Sequence, residues 1–357
     1  MQLVYANARH PWQGEGVIQV VRSPLATAHV PGAEIWLGTP TPGTEVPERV
    51  TAIESALADC PMVEATPHSD DALLAVHDPR LVEHLRTIWS RWDAYGTERV
   101  VPYLFPTSGL LGELPEREPV APHAAAGRYC YDTMTLVGPS TWEGARAAID
   151  VALTCVDIVG NGVVYGLTRP PGHHVTRTAY GGSCYLNNAA VAAEGLRRAG
   201  HERVAVIDID AHHGNGTQDV FYSRGDVFYG SVHVDPGAGW FPHYAGFADE
   251  TGVSAGVGAN LNIPMAPGSG DAPWLDAVRR LVDAASTFRA TALVVSLGVD
   301  AAIDDPESPL EVTLDGYGEA GRILGALALP TVALQEGGYH LPTLGALVRA
   351  TLAGLSA

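Results

Sequence analysis

From Thr141 onward the chain alternates two textures: alanine-rich stretches with apolar residues at helical spacing, and short runs that are apolar without interruption. The clearest runs lie around 163–167, 204–209, 293–299 and 331–334. Unbroken Val, Ile and Leu over so few residues marks strands buried on both faces, as in a parallel sheet. The expectation is an α/β fold, one domain over residues 1–357 with a mainly parallel central sheet and helices on both faces. Upstream, Val50, Ile53, Ala56 and Leu57 recur at helical spacing behind Pro47, which suits a first turn. A second helix is expected over about 78–92. Residues 31–47 are dense in Pro, Gly and Thr and read as a long surface loop. A stretch at about 96–127 reads as an irregular excursion that carries function or an interface.

Each of the four apolar runs ends in chemically loaded residues. They are Arg169-Pro-Pro-Gly-His173-His174, Asp208-Ile-Asp210-Ala-His212, Asp300, and Glu336-Gly-Gly-Tyr339. Ligands of open α/β sheets gather outside the carboxyl ends of strands, so four such endings point to one composite site. In an extended strand Asp208 and Asp210 share a side, and His212 continues the series. Buried carboxylates beside an imidazole either shift their pKa values or hold a divalent cation. The alternative is that the aspartates cap the next helix and the histidines are solvated.

Composition narrows the partners. With 21 Lys+Arg against 40 Asp+Glu, the net charge of −19 argues against nucleic acid and anionic membranes and mildly favours cationic substrates. Hydrophobic residues make up 46% of the chain, enough for a large core. Cys60, Cys130, Cys155 and Cys184 are widely spaced, so a reduced, cytoplasmic setting is expected. The first residues lack the charged and apolar regions of a signal peptide, and no run approaches the roughly 18 apolar residues of a membrane span.

A catalytic zinc site has three protein ligands and an open position, and Asp210, His212 and Asp300 supply that number. Metal-assisted hydrolysis also needs a base for water and an acid for the leaving amine, for which His173 and His174 are the source. Tyr339, after the flexible Gly337-Gly338 turn, is a candidate donor to a developing oxyanion. Residues 252–258 are glycine-rich but lack a strand-turn-helix setting and read as a turn. Cys184 reads as a small buried residue rather than a nucleophile. Trp240-Phe241-Pro242 is either core or the lining of a substrate channel.

Together these residues resemble the histone deacetylase and acetylpolyamine amidohydrolase superfamily, which shares the arginase-like α/β fold. The stretches that carry the resemblance are 169–174, Gly181-Gly-Ser-Cys-Tyr-Leu-Asn-Asn188, Asp208-Ile-Asp-Ala-His-His-Gly-Asn-Gly-Thr217, Ser296-Leu-Gly-Val-Asp300 and Gln335-Glu-Gly-Gly-Tyr339. The resemblance implies a zinc deacetylase domain in which Asp210, His212 and Asp300 bind the metal and Tyr339 polarises the scissile acetamide. It implies that His174 is general base and acid and that His173, oriented by Asp208, holds the electrostatic balance. Asn215 stands where some members pair the second histidine with an aspartate. A structural potassium ion is implied at Asp208, Asp210, His212, Ser231 and Val232.

Within the superfamily, Ser231-Val-His-Val-Asp-Pro236, Phe241-Pro242 and Asp249-Glu-Thr-Gly252 look most like acetylpolyamine amidohydrolases. The excursion resembles their extra loop, which narrows the channel and supports a homodimer. The implied reaction is removal of acetyl groups from small cationic amines, with acetyl-lysine in proteins as the alternative substrate. Gly182, Ser183, Trp240, Phe241, His123 and Met134 are the expected channel residues. Ser183 replaces a tunnel-wall aromatic, and His123 and Met134 fall where the subfamily places the acidic residues that meet the polyamine. Iron(II) or cobalt(II) also suits two carboxylates and one imidazole.

Overall fold

The computed structural model describes residues 18–357 apart from 93, 94, 97 and 116; the leading residues read for a signal peptide lie outside them. In chain order the strands are β1 (Gln19–Arg22), β2 (Ala33–Trp36), β3 (Thr39–Pro42), β4 (Met62–Glu64), β5 (Val163–Gly166), β6 (Val204–Asp208), β7 (Val227–Val234), β8 (Asn260–Met265), β9 (Ala292–Leu297) and β10 (Thr331–Gln335). Eight of them form one sheet in the order β4-β1-β5-β10-β9-β6-β7-β8, every pair parallel.

The unbroken apolar runs are explained by burial on both faces. In β9, Leu293, Val295 and Leu297 join one core while Ala292 and Val294 join the other. The first core is covered by α1 (Glu48–Ala56), α9 (Asp271–Phe288), α10 (Leu314–Gly325) and α11 (Leu341–Leu355). The opposite core is covered by α2 (Asp71–Val76), α3 (Pro79–Trp92), α6 (Thr141–Ile158) and α7 (Asn188–Arg198). Asn187 caps α7, its side chain accepting the Ala190 N–H at 2.9 Å. Among the described residues no helix is long and apolar enough to cross a membrane.

Strand order places the site. After β5 the chain passes over two strand positions to β6, and β9 and β10 later fill the gap. The carboxyl ends of β5, β10, β9 and β6 are therefore neighbours, and these are the four ends that carry the loaded residues.

Two differences from the sequence reading have physical causes. Residues 31–47 hold the antiparallel hairpin β2–β3 rather than only a loop. It docks on residue 133, where the Ile35 N–H meets the Thr133 carbonyl at 3.1 Å and the Thr133 hydroxyl donates to the Ile35 carbonyl at 2.7 Å. Prolines 40 and 42 are tolerated on such a short edge. Strands β1, β4, β7 and β8 were not among the clear runs, because they are short or interrupted, as by Gly230, Ser231 and His233 in β7. The described part of 96–127 holds only the one-turn helices α4 (Ser108–Leu111) and α5 (Pro122–Ala125).

Candidate active site

Past the end of β6 the chain presents Asp208, Asp210 and His212 in turn. Asp208 is buried and accepts hydrogen bonds from His173 Nδ1 at 3.0 Å and the Tyr229 hydroxyl at 3.1 Å. Burial opposes charge on His173, but Asp208, Asp210 and Glu336 outweigh it and raise its pKa to about 10. His173 is thus an imidazolium at neutral pH.

Asp210, His212 and Asp300 bring one donor atom each within 4.8 Å of one another. His212 Nδ1 lies 2.9 Å from Asp300 Oδ2 and 3.3 Å from Asp210 Oδ1. The remaining carboxylate oxygens are held by backbone: Ala211 N–H donates to Asp300 Oδ1 and Gly337 N–H to Asp210 Oδ2, each at 2.7 Å. Burial and the Asp210 charge push the Asp300 carboxyl up to about 7. Two buried carboxylates and one imidazole converging in this way suit a divalent cation. Position 337 must be glycine, since a Cβ there would stand 2.4 Å from Asp300 Oδ2 and 2.6 Å from Asp210 Oδ2.

The His174 ring lies tilted against His173 with ring centroids 4.1 Å apart and makes a T-shaped contact with Phe241 at 4.8 Å. Its Nδ1 lies 2.8 Å from Asn215 Oδ1, and the Asn215 amide donates back to the His174 carbonyl at 3.4 Å. The amide oxygen only accepts, so Nδ1 carries the proton and Nε2 keeps its lone pair. Burial, reinforced by the positive His173, lowers the His174 pKa well below the usual value.

Tyr339 follows the turn after β10 and is held from two sides. Arg49 of α1 donates to the Gly338 carbonyl at 2.7 Å and the Glu336 carbonyl at 2.5 Å, and its guanidinium lies 4.9 Å from the Tyr339 ring centre. Asp305 accepts the Tyr339 N–H at 2.6 Å. Arg49 and Arg169 both bond Glu45 Oε1 at 2.8 Å in a fully buried cluster. Burial raises the Tyr339 phenol well above its ordinary pKa, so it is a hydrogen-bond donor at neutral pH.

These groups open into a cleft of about 410 Å³ lined by His174, His212, Tyr339, Gly182, Ser183, Met134, Trp240 and Phe241. Trp240 and Phe241 thus belong to the cleft wall, although Trp240 also packs on the core. Ser183 adopts left-handed backbone at φ 60°. His123 is a correction: it is not among the lining residues, because the excursion folds it onto the Tyr95 hydroxyl at 2.6 Å and against the Tyr103 ring. Ser231 lies opposite Asp208 in the β6–β7 register, with Val232 beside it, all buried.

A model of the histone deacetylase domain matches residues 43–355. The chain belongs to the histone deacetylase family. It is 38% identical to an acetylpolyamine amidohydrolase of Mycoplana ramosa over 90% of this chain and 95% of that one. It is 41% identical to an acetylpolyamine amidohydrolase of Burkholderia pseudomallei (strain 1710b), covering 88% and 91%. Among solved structures, an acetylpolyamine aminohydrolase from Burkholderia pseudomallei superposes with a TM-score of 0.88 at 38% identity, over 95% of this chain and 99% of that one. The HDA15 HD domain gives 0.76 at 28% identity, over 96% and 88%. This family member is accordingly a hydrolase of amide bonds, and such enzymes are generally metal-dependent.

Several participants carried no mark in the sequence. Arg49 and Glu45 were detectable only as an ion pair four residues apart at a helix start. Asp305, Glu34 and Glu307 lie outside the motifs, and the fold alone brings Glu34 and Glu307 to the cleft and Asp305 against the Tyr339 N–H behind it. His173, Cys184 and Glu336 also converge within 4.8 Å. There, burial and Glu336 push the Cys184 thiol far up, which fits its reading as a packed residue.

Proposed function

We propose that the protein removes acetyl groups from small amines that carry a second positive charge, using a zinc ion held by Asp210, His212 and Asp300. The observation that carries this reading is the pair of carboxylates, Glu34 and Glu307, lining the same cleft as His174, His212 and Tyr339. They compensate for the neutral Met134 and for His123, which lies off the cleft. Burial, with the Glu307 charge adding, raises Glu34 to about 7, and a substrate ammonium beside it would favour its ionised form. A cleft of this size accommodates a short acetylated amine chain.

When bound, a divalent ion supplies Lewis acidity to the amide carbonyl and to water. His174 Nε2 takes the proton from the attacking water and returns it to the leaving nitrogen. His173, charged and anchored on Asp208, offsets negative charge that develops during attack. The Tyr339 phenol donates to the carbonyl oxygen as it becomes an oxyanion. A potassium ion at Asp208, Asp210, His212, Ser231 and Val232 would fix the end of β6, and assembly into a homodimer through the excursion is part of the same reading.

The deciding experiment is mass-spectrometric turnover of acetylated diamines, acetylated polyamines and acetyl-lysine peptides by zinc-loaded protein, with Asp300→Ala as control. Cleavage of the small cations ahead of peptides is the expected result. Preference for peptides would replace this reading with the acetyl-lysine one.

A further inference from the structure

Two segments of the cleft wall meet on one buried carboxylate. Asp305 Oδ1 accepts the Glu307 N–H at 3.0 Å, while Oδ2 accepts the Tyr339 N–H at 2.6 Å and the His340 N–H at 3.2 Å. Asp305 itself is only 7% exposed. One side chain therefore fixes both the residue that offers a carboxylate to the cleft and the residue that offers the phenol.

Each arm is otherwise well braced. The Thr44 hydroxyl donates to Glu307 Oε1 at 2.8 Å, and Trp240 Nε1 donates to the Glu307 carbonyl at 3.0 Å. On the other arm, Gly338 has a φ of 125°, a conformation open to glycine, and is packed against Val299 and Leu344. Arg49 holds this turn through its carbonyls, and Asp305 holds it through the N–H groups that follow. The Glu307 arm and Tyr339 are thus joined through a single two-oxygen acceptor.

We propose that Asp305 is a positioning residue that couples capture of the substrate's second charge at Glu307 to placement of the Tyr339 phenol. The substrate ammonium then raises kcat as well as lowering KM, because binding energy remote from the scissile bond is used to orient the oxyanion donor. This rests on the small cationic amine reading above. An asparagine at 305 would set an NH2 group against a backbone N–H at one of the two oxygens and so uncouple the arms.

The test compares an acetylated diamine with a neutral alkylacetamide of equal length in zinc-loaded wild type, Asp305→Asn and Glu307→Gln. In wild type the diamine should show a kcat advantage of about tenfold, within the usual range of coupling between sites. In Asp305→Asn that kcat advantage should fall to about twofold or less while the KM advantage persists; in Glu307→Gln the kcat advantage should be lost and the KM advantage reduced, since Glu34 remains in the cleft. A merely structural role for Asp305 would lower kcat for the two substrates alike and leave their ratio intact, which overturns the proposal. If Asp305→Asn does not fold, Glu307→Gln decides, and a retained kcat advantage there is equally fatal. Wild type that cleaves both substrates at equal kcat overturns the coupling alone, whereas wild type silent on both overturns the functional reading beneath it.

Discussion

Tyr339 and His174 divide the acid-base work by environment. Burial drives both groups toward their neutral forms, so the phenol keeps its proton and the imidazole keeps a lone pair. His173, equally buried, is driven the other way because Asp208 and Asp210 lie against it. Tyr339→Phe should therefore retain bound zinc and lose about 100- to 1000-fold in kcat, the usual effect of one oxyanion donor. Metal content by atomic absorption beside steady-state kinetics checks this, and an unimpaired kcat would remove Tyr339 from the mechanism. Ser183 shows how one residue shapes a wall: it takes the left-handed backbone next to Gly182 and lines the cleft.

At the scale of elements, the site is the work of strand ends tied together by buried polar groups. Gly337, after β10, donates to Asp210, after β6, and Ala211 donates to Asp300, after β9. Helix α1 enters through Arg49, whose guanidinium serves the Glu336 and Gly338 carbonyls and Glu45 at once. Breaking such a buried pair leaves an uncompensated charge and typically costs about 3–5 kcal/mol. Arg49→Met should lower the urea-unfolding free energy by that amount, with a loss of kcat because the Tyr339 turn loses one restraint. Stability within about 0.5 kcal/mol of wild type would show that α1 does not support the turn. The hairpin β2–β3 shows why such contributions escape the sequence: its prolines and threonines look like loop, and only docking on Thr133 makes it part of the cleft wall.

Over the whole molecule, buried neutral histidines make stability depend on pH. Burial lowers His77 and His84 to about 4. His77 Nδ1 faces the Thr176 carbonyl at 3.0 Å and Nε2 accepts the Asn187 N–H at 2.9 Å, an arrangement that only the neutral ring satisfies. The unfolded chain protonates these rings near 6.5, so between 6.5 and 4 it binds more protons than the folded one. Their stabilising effect is complete above that window and is lost as pH falls through it, at up to about 1.4 kcal/mol per pH unit for each ring. Unfolding free energies at pH 7.5, 6 and 5 should fall less steeply in His77→Gln than in wild type; parallel profiles would mean His77 does not titrate differently on folding. The sequence by itself determined the parallel α/β layering and the residues at four strand ends, because burial on both faces and metal-site chemistry leave compact local patterns. Tertiary structure alone decided that Glu34 and Glu307 share a cleft, that His123 does not, and that Arg49 and Asp305 hold Tyr339 between them. Those relations join residues from distant parts of the chain, and no local period or spacing records a contact made only when the chain closes on itself.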